Sequence, residues 1–91
     1  MNTILIAYDL HAPVQNYKDL IEWIKGHPWF KPLESTWLIQ TTMTPGQVRD
    51  SIDQLMDQDD VGLVIDVTGA TWASRAFSAQ GNLWMKTKVA S

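Results

Sequence analysis

The chain opens on an apolar run, Thr3-Ile4-Leu5-Ile6-Ala7-Tyr8, that ends in Asp9. Large and β-branched residues fill it without strict polar alternation, so the pattern predicts a strand in the middle of a sheet. His11-Ala12-Pro13 breaks it, because proline cannot continue a ladder and restricts the residue before it. The period then changes to that of a helix: Tyr17, Leu20, Ile21 and Ile24 recur at i, i+3, i+4 and i+7. A helix is predicted from about Asn16 to Lys25, with Asn16 as N-cap and Asp19 in the first turn. Gly26 is expected to end it as the C′ residue.

From Gly26 to Pro32 the pattern is that of a loop or an irregular edge segment, since two prolines exclude a central strand. Leu33 to Thr42 is strand-like and reads either as one strand or as a kinked hairpin with a short first arm. Thr44-Pro45-Gly46-Gln47 is a helix start: Thr44 caps, Pro45 suits N1 and Gln47 completes a capping box. Val48, Ile52, Leu55 and Met56 mark the buried face of this second helix. The acidic loop Asp57-Gln58-Asp59-Asp60 is expected to be well solvated, because carboxylates sit poorly at the negative end of a helix. Gly62 to Thr68 is the last clear strand, closed by Gly69. Residues 70–91 show no distinct period. A short helix over about Gly81 to Lys88 and an extra edge strand both fit them.

Strand, helix, strand or hairpin, helix, strand is the order of an α+β protein. It matches the ferredoxin-like βαββαβ sandwich, one antiparallel sheet with two helices on one face and the first and last strands central. Residues 1–69 form this core domain in that reading, and 70–91 a tail docked on the core or on a partner protomer. Two helices cover one sheet face only, and an uncovered apolar face marks an interface. A homodimer is therefore expected.

Composition adds limits. Ninety-one residues make one small domain. Five tryptophans are more aromatic bulk than so small a monomer easily buries, which again suits a subunit contact. The absence of cysteine removes disulfides, thiolate zinc sites and cysteine nucleophiles, and is compatible with a cytoplasmic protein. No apolar run is long enough to span a membrane, and no basic stretch precedes the first one, so neither a membrane partner nor a signal peptide is expected. A net charge of −3 argues against a strong general nucleic-acid binder. The charge is uneven: acids crowd residues 50–60, whereas after Asp66 only Arg75, Lys86 and Lys88 are charged.

A short apolar strand ending Tyr8-Asp9, a helix, Ser35-Thr36-Trp37 opening a strand, a Thr44-Pro45 helix start and a final apolar strand follow in order. This ordered set resembles the CRISPR-associated protein 2 (Cas-two) family, and more closely its SinR-like non-CRISPR relatives, over about Met1 to Thr68. The resemblance implies a ferredoxin-like homodimer. In several members the aspartate ending strand one sits beside its twofold mate, holds a divalent metal and supports hydrolysis of RNA or DNA. Asp9 stands at that position, and Ser35 at that of the serine that opens the later strand. The chain departs from the family in two ways. Basic residues around helix one are reduced to Lys18, Lys25 and Lys31, and Leu33 replaces the glutamine two residues before the serine. Both bear on catalysis more than on fold.

Asp9 is thus the leading candidate, as catalytic residue and as ligand to Mg²⁺ or Mn²⁺, with water completing the shell. One carboxylate per chain is too few for an all-protein site, so a symmetric pair is the minimum. A strand-end aspartate capping a turn is the plain alternative. His11 is a candidate general base or extra metal ligand if the backbone stays extended, which would put it on the same face as Asp9; a solvated loop histidine is the plainer account. Tyr8, Ser35 and Thr36 are candidate contacts to substrate or partner, and so are the tail cations Arg75, Lys86 and Lys88. His27 reads as a turn residue, and Asp66 as a solvent-facing carboxylate or the partner of a base. Two functions follow: a metal-dependent endonuclease acting on RNA or DNA, or a catalytically silent dimeric module. The second would bind protein, nucleotide or nucleic acid in a phage-defence or toxin–antitoxin setting.

Overall fold

The computed structural model describes residues 1–11 and 17–91. It contains β1 (Asn2–Asp9), α1 (Lys18–Lys25), β2 (Trp29–Leu33), β3 (Thr36–Thr41), α2 (Pro45–Asp53), β4 (Val61–Asp66) and α3 (Ala79–Lys88). The proposed Asn16 cap and the Ala12-Pro13 break lie outside the described residues. The four strands form one antiparallel sheet in the order β2-β3-β1-β4. This is an α+β architecture compatible with a ferredoxin-like fold.

β1 is central, as its uninterrupted apolar run requires. The last strand is not: β4 is an edge strand, and β3 takes the second central place. Val61, Leu63 and Ile65 of β4 are all exposed. A continuous apolar run is the signature of a strand covered on both faces, and here one of those faces lacks its cover.

Cross-strand partners share a face of the sheet, and faces alternate along each strand. Ile4 pairs with Ile39, and Ile6 with Trp37 and Val64. With Leu20 and Ile24 of α1 and Val48 and Ile52 of α2 these residues make the main core, so the two helices cover the same face. The opposite face carries Leu5, Leu38 and Ile65 in one row and Ala7, Thr36 and Leu63 in the next.

Of the two readings for 33–42, the hairpin is observed. Its first arm, β2, starts earlier than Leu33 and takes in Pro32; a register irregularity between Phe30 and Leu33 and a place at the sheet edge accommodate the proline. The capping box is formed: Gln47 N–H donates to Thr44 Oγ1 at 3.3 Å, and Thr44 N–H to Gln47 Oε1 at 2.9 Å. Gly26 ends α1 in right-handed helical geometry, with φ −70°, so it is the C-cap and not a left-handed C′ residue.

Residues 70–91 contain a helix, not a strand. Ser78 caps α3 by accepting from Gly81 N–H at 3.0 Å. The segment lies against this chain's own sheet on the face opposite α1 and α2. Phe30 meets Phe77 edge-on at 5.7 Å and Trp84 at 5.6 Å, and Thr3 Oγ1 donates to Lys88 O. Trp72 Nε1 donates to Ala90 O at 2.6 Å. This cover reaches one end of the face and leaves Leu33, Val61, Leu63 and Ile65 exposed.

Candidate functional site

Asp9 is the last residue of β1 and is exposed. Its register partner is Val61. Because faces alternate along β1, Asp9 falls on the same face as Leu5 and Ala7, the one that α3 only partly covers. A shallow groove of about 340 Å³ opens there, lined by Ala7, Tyr8, Asp9, Ser35, Thr36, Val61, Gly62 and Leu63. Antiparallel pairing builds it. Tyr8 N–H donates to Ser35 O at 3.1 Å, which brings the β2–β3 turn alongside the end of β1. The fold therefore gathers Asp9 with Ser35 and Thr36, which lie far from it in sequence, at one end of the sheet.

Tyr8 contributes to the groove mainly by its position in the strand. Its ring is half-buried against the helix-side core, and its hydroxyl accepts from Trp37 Nε1 at 2.9 Å. His11 does not line the groove. β1 stops at Asp9, so the alternation that would place His11 beside it does not continue, and the His11 backbone N–H donates to Asp60 Oδ1 at 2.7 Å. Arg75, Lys86 and Lys88 do not line it either. Lys86 and Lys88 occupy the last turn of α3, where a cation complements the helix dipole.

Asp60 was not among the candidates and is the most connected carboxylate. The acidic loop is solvated at Asp57 and Asp59, but Asp60 is half-buried. It accepts from His11 N–H, from Asp57 N–H at 2.7 Å, and from the Tyr17 hydroxyl. Partial desolvation pulls its pKa up, but the donors from His11, Asp57 and Tyr17 outweigh this and hold it below the ordinary carboxylate value. Asp66 is exposed and is held low by the Thr68 hydroxyl and N–H, at 2.6 and 2.9 Å, so it closes a turn; among the described residues it has no basic partner. A second cleft, of about 600 Å³, lies between α2, the 57–60 loop and β4, with Ile52, Met56 and Val64 against Arg49, Asp53 and Asp57. Gly62 lies on its wall, where a Cβ would make ordinary contact with Met56 Cε at 3.5 Å, and nothing in the sequence pattern marked the cleft.

Among the described residues no three His, Cys, Asp or Glu side chains are grouped to hold a metal. The groove offers one carboxylate and the Ser35 and Thr36 hydroxyls, a donor set that would leave a divalent cation mostly on water. The fold and groove thus define a small α+β protein with a single carboxylate at the rim of a half-covered sheet face. The chain matches no family model, no curated protein and no solved structure.

Proposed function

We propose that the protein is a Cas-two-like homodimer that hydrolyses phosphodiester bonds in RNA or DNA with a divalent metal. The observation that carries this reading is the place of Asp9. It stands exposed at the end of β1, on the sheet face whose remaining apolar strip, Val61, Leu63 and Ile65, has no cover in one chain. Two copies meeting across that strip bring two Asp9 carboxylates toward one seam, with Ser35 and Thr36 lining each side. Paired carboxylates would hold Mg²⁺ or Mn²⁺, and the hydroxyls would orient water or a phosphate oxygen. The chemistry such a cation would supply is polarisation of the phosphoryl group and a lowered pKa for bound water.

The second reading, a catalytically silent dimeric module, is favoured by the groove's own lining. It holds no lysine, arginine or histidine to meet a phosphate. Both readings share the dimer and differ in Asp9. The deciding experiment compares wild type with Asp9→Asn on labelled RNA and DNA oligonucleotides in Mg²⁺ and in Mn²⁺. Cleavage lost in the variant while the dimer persists supports the endonuclease. Equal cleavage in both rejects Asp9 as its metal ligand, and no cleavage by wild type leaves the silent module.

A further inference from the structure

A group of cations with no acidic partner among the described residues lies away from the groove, at the junction of α1 and β2. Between Glu22 and Glu34 the chain carries Lys25, His27 and Lys31, three aromatic residues and no acid. The fold collects these residues at the end of α1 and along β2. Lys25 Nζ stands 5.0 Å from the centre of the Trp29 ring and 6.0 Å from that of Trp37. Lys31 Nζ stands 5.0 Å from the Trp37 ring. The Trp29 and Trp37 rings are themselves 5.3 Å apart, tilted by 60°. His27 packs on Trp23 at 4.6 Å, with Nδ1 3.0 Å from Trp23 O.

Two features set this cluster apart from a solvated charged surface. Among the described residues neither Lys25 nor Lys31 has an acidic partner, whereas Lys18 pairs with Glu22 and Arg49 with Asp50. Indole rings hold the ammonium groups in place without neutralising them. Trp29 is also 41% exposed, and its indole N–H has no acceptor among the described residues, while those of Trp37 and Trp72 donate to Tyr8 and Ala90. A large aromatic left half in water, with one unneutralised ammonium over its ring and a second over the adjoining Trp37 ring, suits a ligand that is both flat and anionic.

We propose that Lys25, Trp29 and Lys31 form a docking surface for single-stranded nucleic acid. A base stacks on Trp29 and the flanking phosphates take Lys25 and Lys31, which is how sequence-tolerant single-strand binding works. The surface binds independently of any chemistry at Asp9. Trp29 pairs with Ile39 and Ile39 with Ile4, on the helix-side face of the sheet, whereas Asp9 lies on the opposite face.

The test is fluorescence anisotropy of a labelled twenty-nucleotide oligo-dT at low salt. Wild type, Trp29→Ala, Lys25→Gln/Lys31→Gln and Lys86→Gln/Lys88→Gln are compared, each first shown folded by circular dichroism. The proposal expects both patch variants to weaken binding about tenfold or more, and the tail variant by less than twofold. The patch lysine variant should also flatten the log–log salt dependence by about 1.4, two phosphate contacts on a single strand. Should Trp29→Ala unfold, the exposed lysine pair alone decides. No binding by wild type, or an equal loss in the tail variant, overturns the proposal. The binding assay contains no divalent metal and the nuclease reading is tested by metal-dependent cleavage, so failure of the docking surface and failure of the nuclease reading are told apart.

Discussion

The hydroxyl of Tyr17 lies 2.8 and 3.0 Å from the two carboxylate oxygens of Asp60. Tyr17 precedes α1 and Asp60 precedes β4, so this contact ties the start of the first helix to the start of the last strand. His11 N–H donates to the same carboxylate from the end of β1. Asp60 thereby fastens the start of α1 to a corner where the sheet already pairs Asp9 with Val61.

A pH dependence follows. The Asp60 carboxyl titrates near 3.8 when unfolded and lower when folded, and Asp66 behaves alike. Between the two values the unfolded chain binds more protons, so stability rises with pH there. The stabilisation is complete above about 3.8 and is lost as pH falls through the folded value. Urea midpoints measured across this range should fall on acidification, and less so in Asp60→Asn. Tyr17→Phe should raise the Asp60 pKa toward its ordinary value in a carboxyl NMR titration; an unchanged value would show that the hydroxyl contributes nothing to the shift.

Gly81 sets two effects of opposite sign against each other. Alanine is favoured over glycine inside a helix by about 1 kcal/mol. A Cβ at Gly81, however, would stand 2.9 Å from Phe30 Cζ and 3.3 Å from Cε1. Phe30 cannot easily retreat, because Phe77 and Trp84 both pack on its ring. Overpacking costs roughly 1–3 kcal/mol, so Gly81→Ala should be destabilising overall in chemical denaturation. Adding Phe30→Leu should recover part of the loss, and the failure of that rescue would locate the cost elsewhere.

Thr44 tests a local feature. Thr44→Ala removes the side-chain oxygen that accepts from Gln47 N–H and should cost about 1 kcal/mol by urea titration. Gln47→Ala removes the reciprocal half of the box and should cost less. This helix start was legible because every group in it lies within four residues. The same holds for the apolar stripe of α1 and the central place of β1. What was not legible depends on pairing between distant segments. β2 hid behind two prolines that only an edge strand tolerates. α3 showed no clear period because one small patch around Gly81 meets the sheet while Leu83 faces water. Asp60 looked like one acid among several, since its partners His11 and Tyr17 are more than forty residues away. The groove around Asp9 shows the same limit: the strand-end carboxylate stood out in the sequence, but its company of Thr36 and Val61 follows from register.

The two edges of the sheet differ in a way that bears on assembly. A bare edge strand is a template for pairing with another chain, and lysine, proline and irregular register blunt it. β2 has all three: Lys31, Pro32 and the break between Phe30 and Leu33. β4 has neither lysine nor proline, and its Val61, Leu63 and Ile65 are 61, 56 and 43% exposed. An unprotected edge beside an uncovered apolar face is the arrangement a dimer would bury. A stable interface needs about 800 Å² from each partner, which the strip reaches only with neighbours such as Leu33. Light scattering at tens of micromolar should therefore give the mass of two chains for wild type. Leu63→Lys/Ile65→Lys places two charges in the centre of the strip and should give the mass of one, with unchanged circular dichroism, since neither side chain belongs to the helix-side core. A monomeric wild type would remove the dimer, and with it the pairing of Asp9 on which the proposed metal chemistry depends.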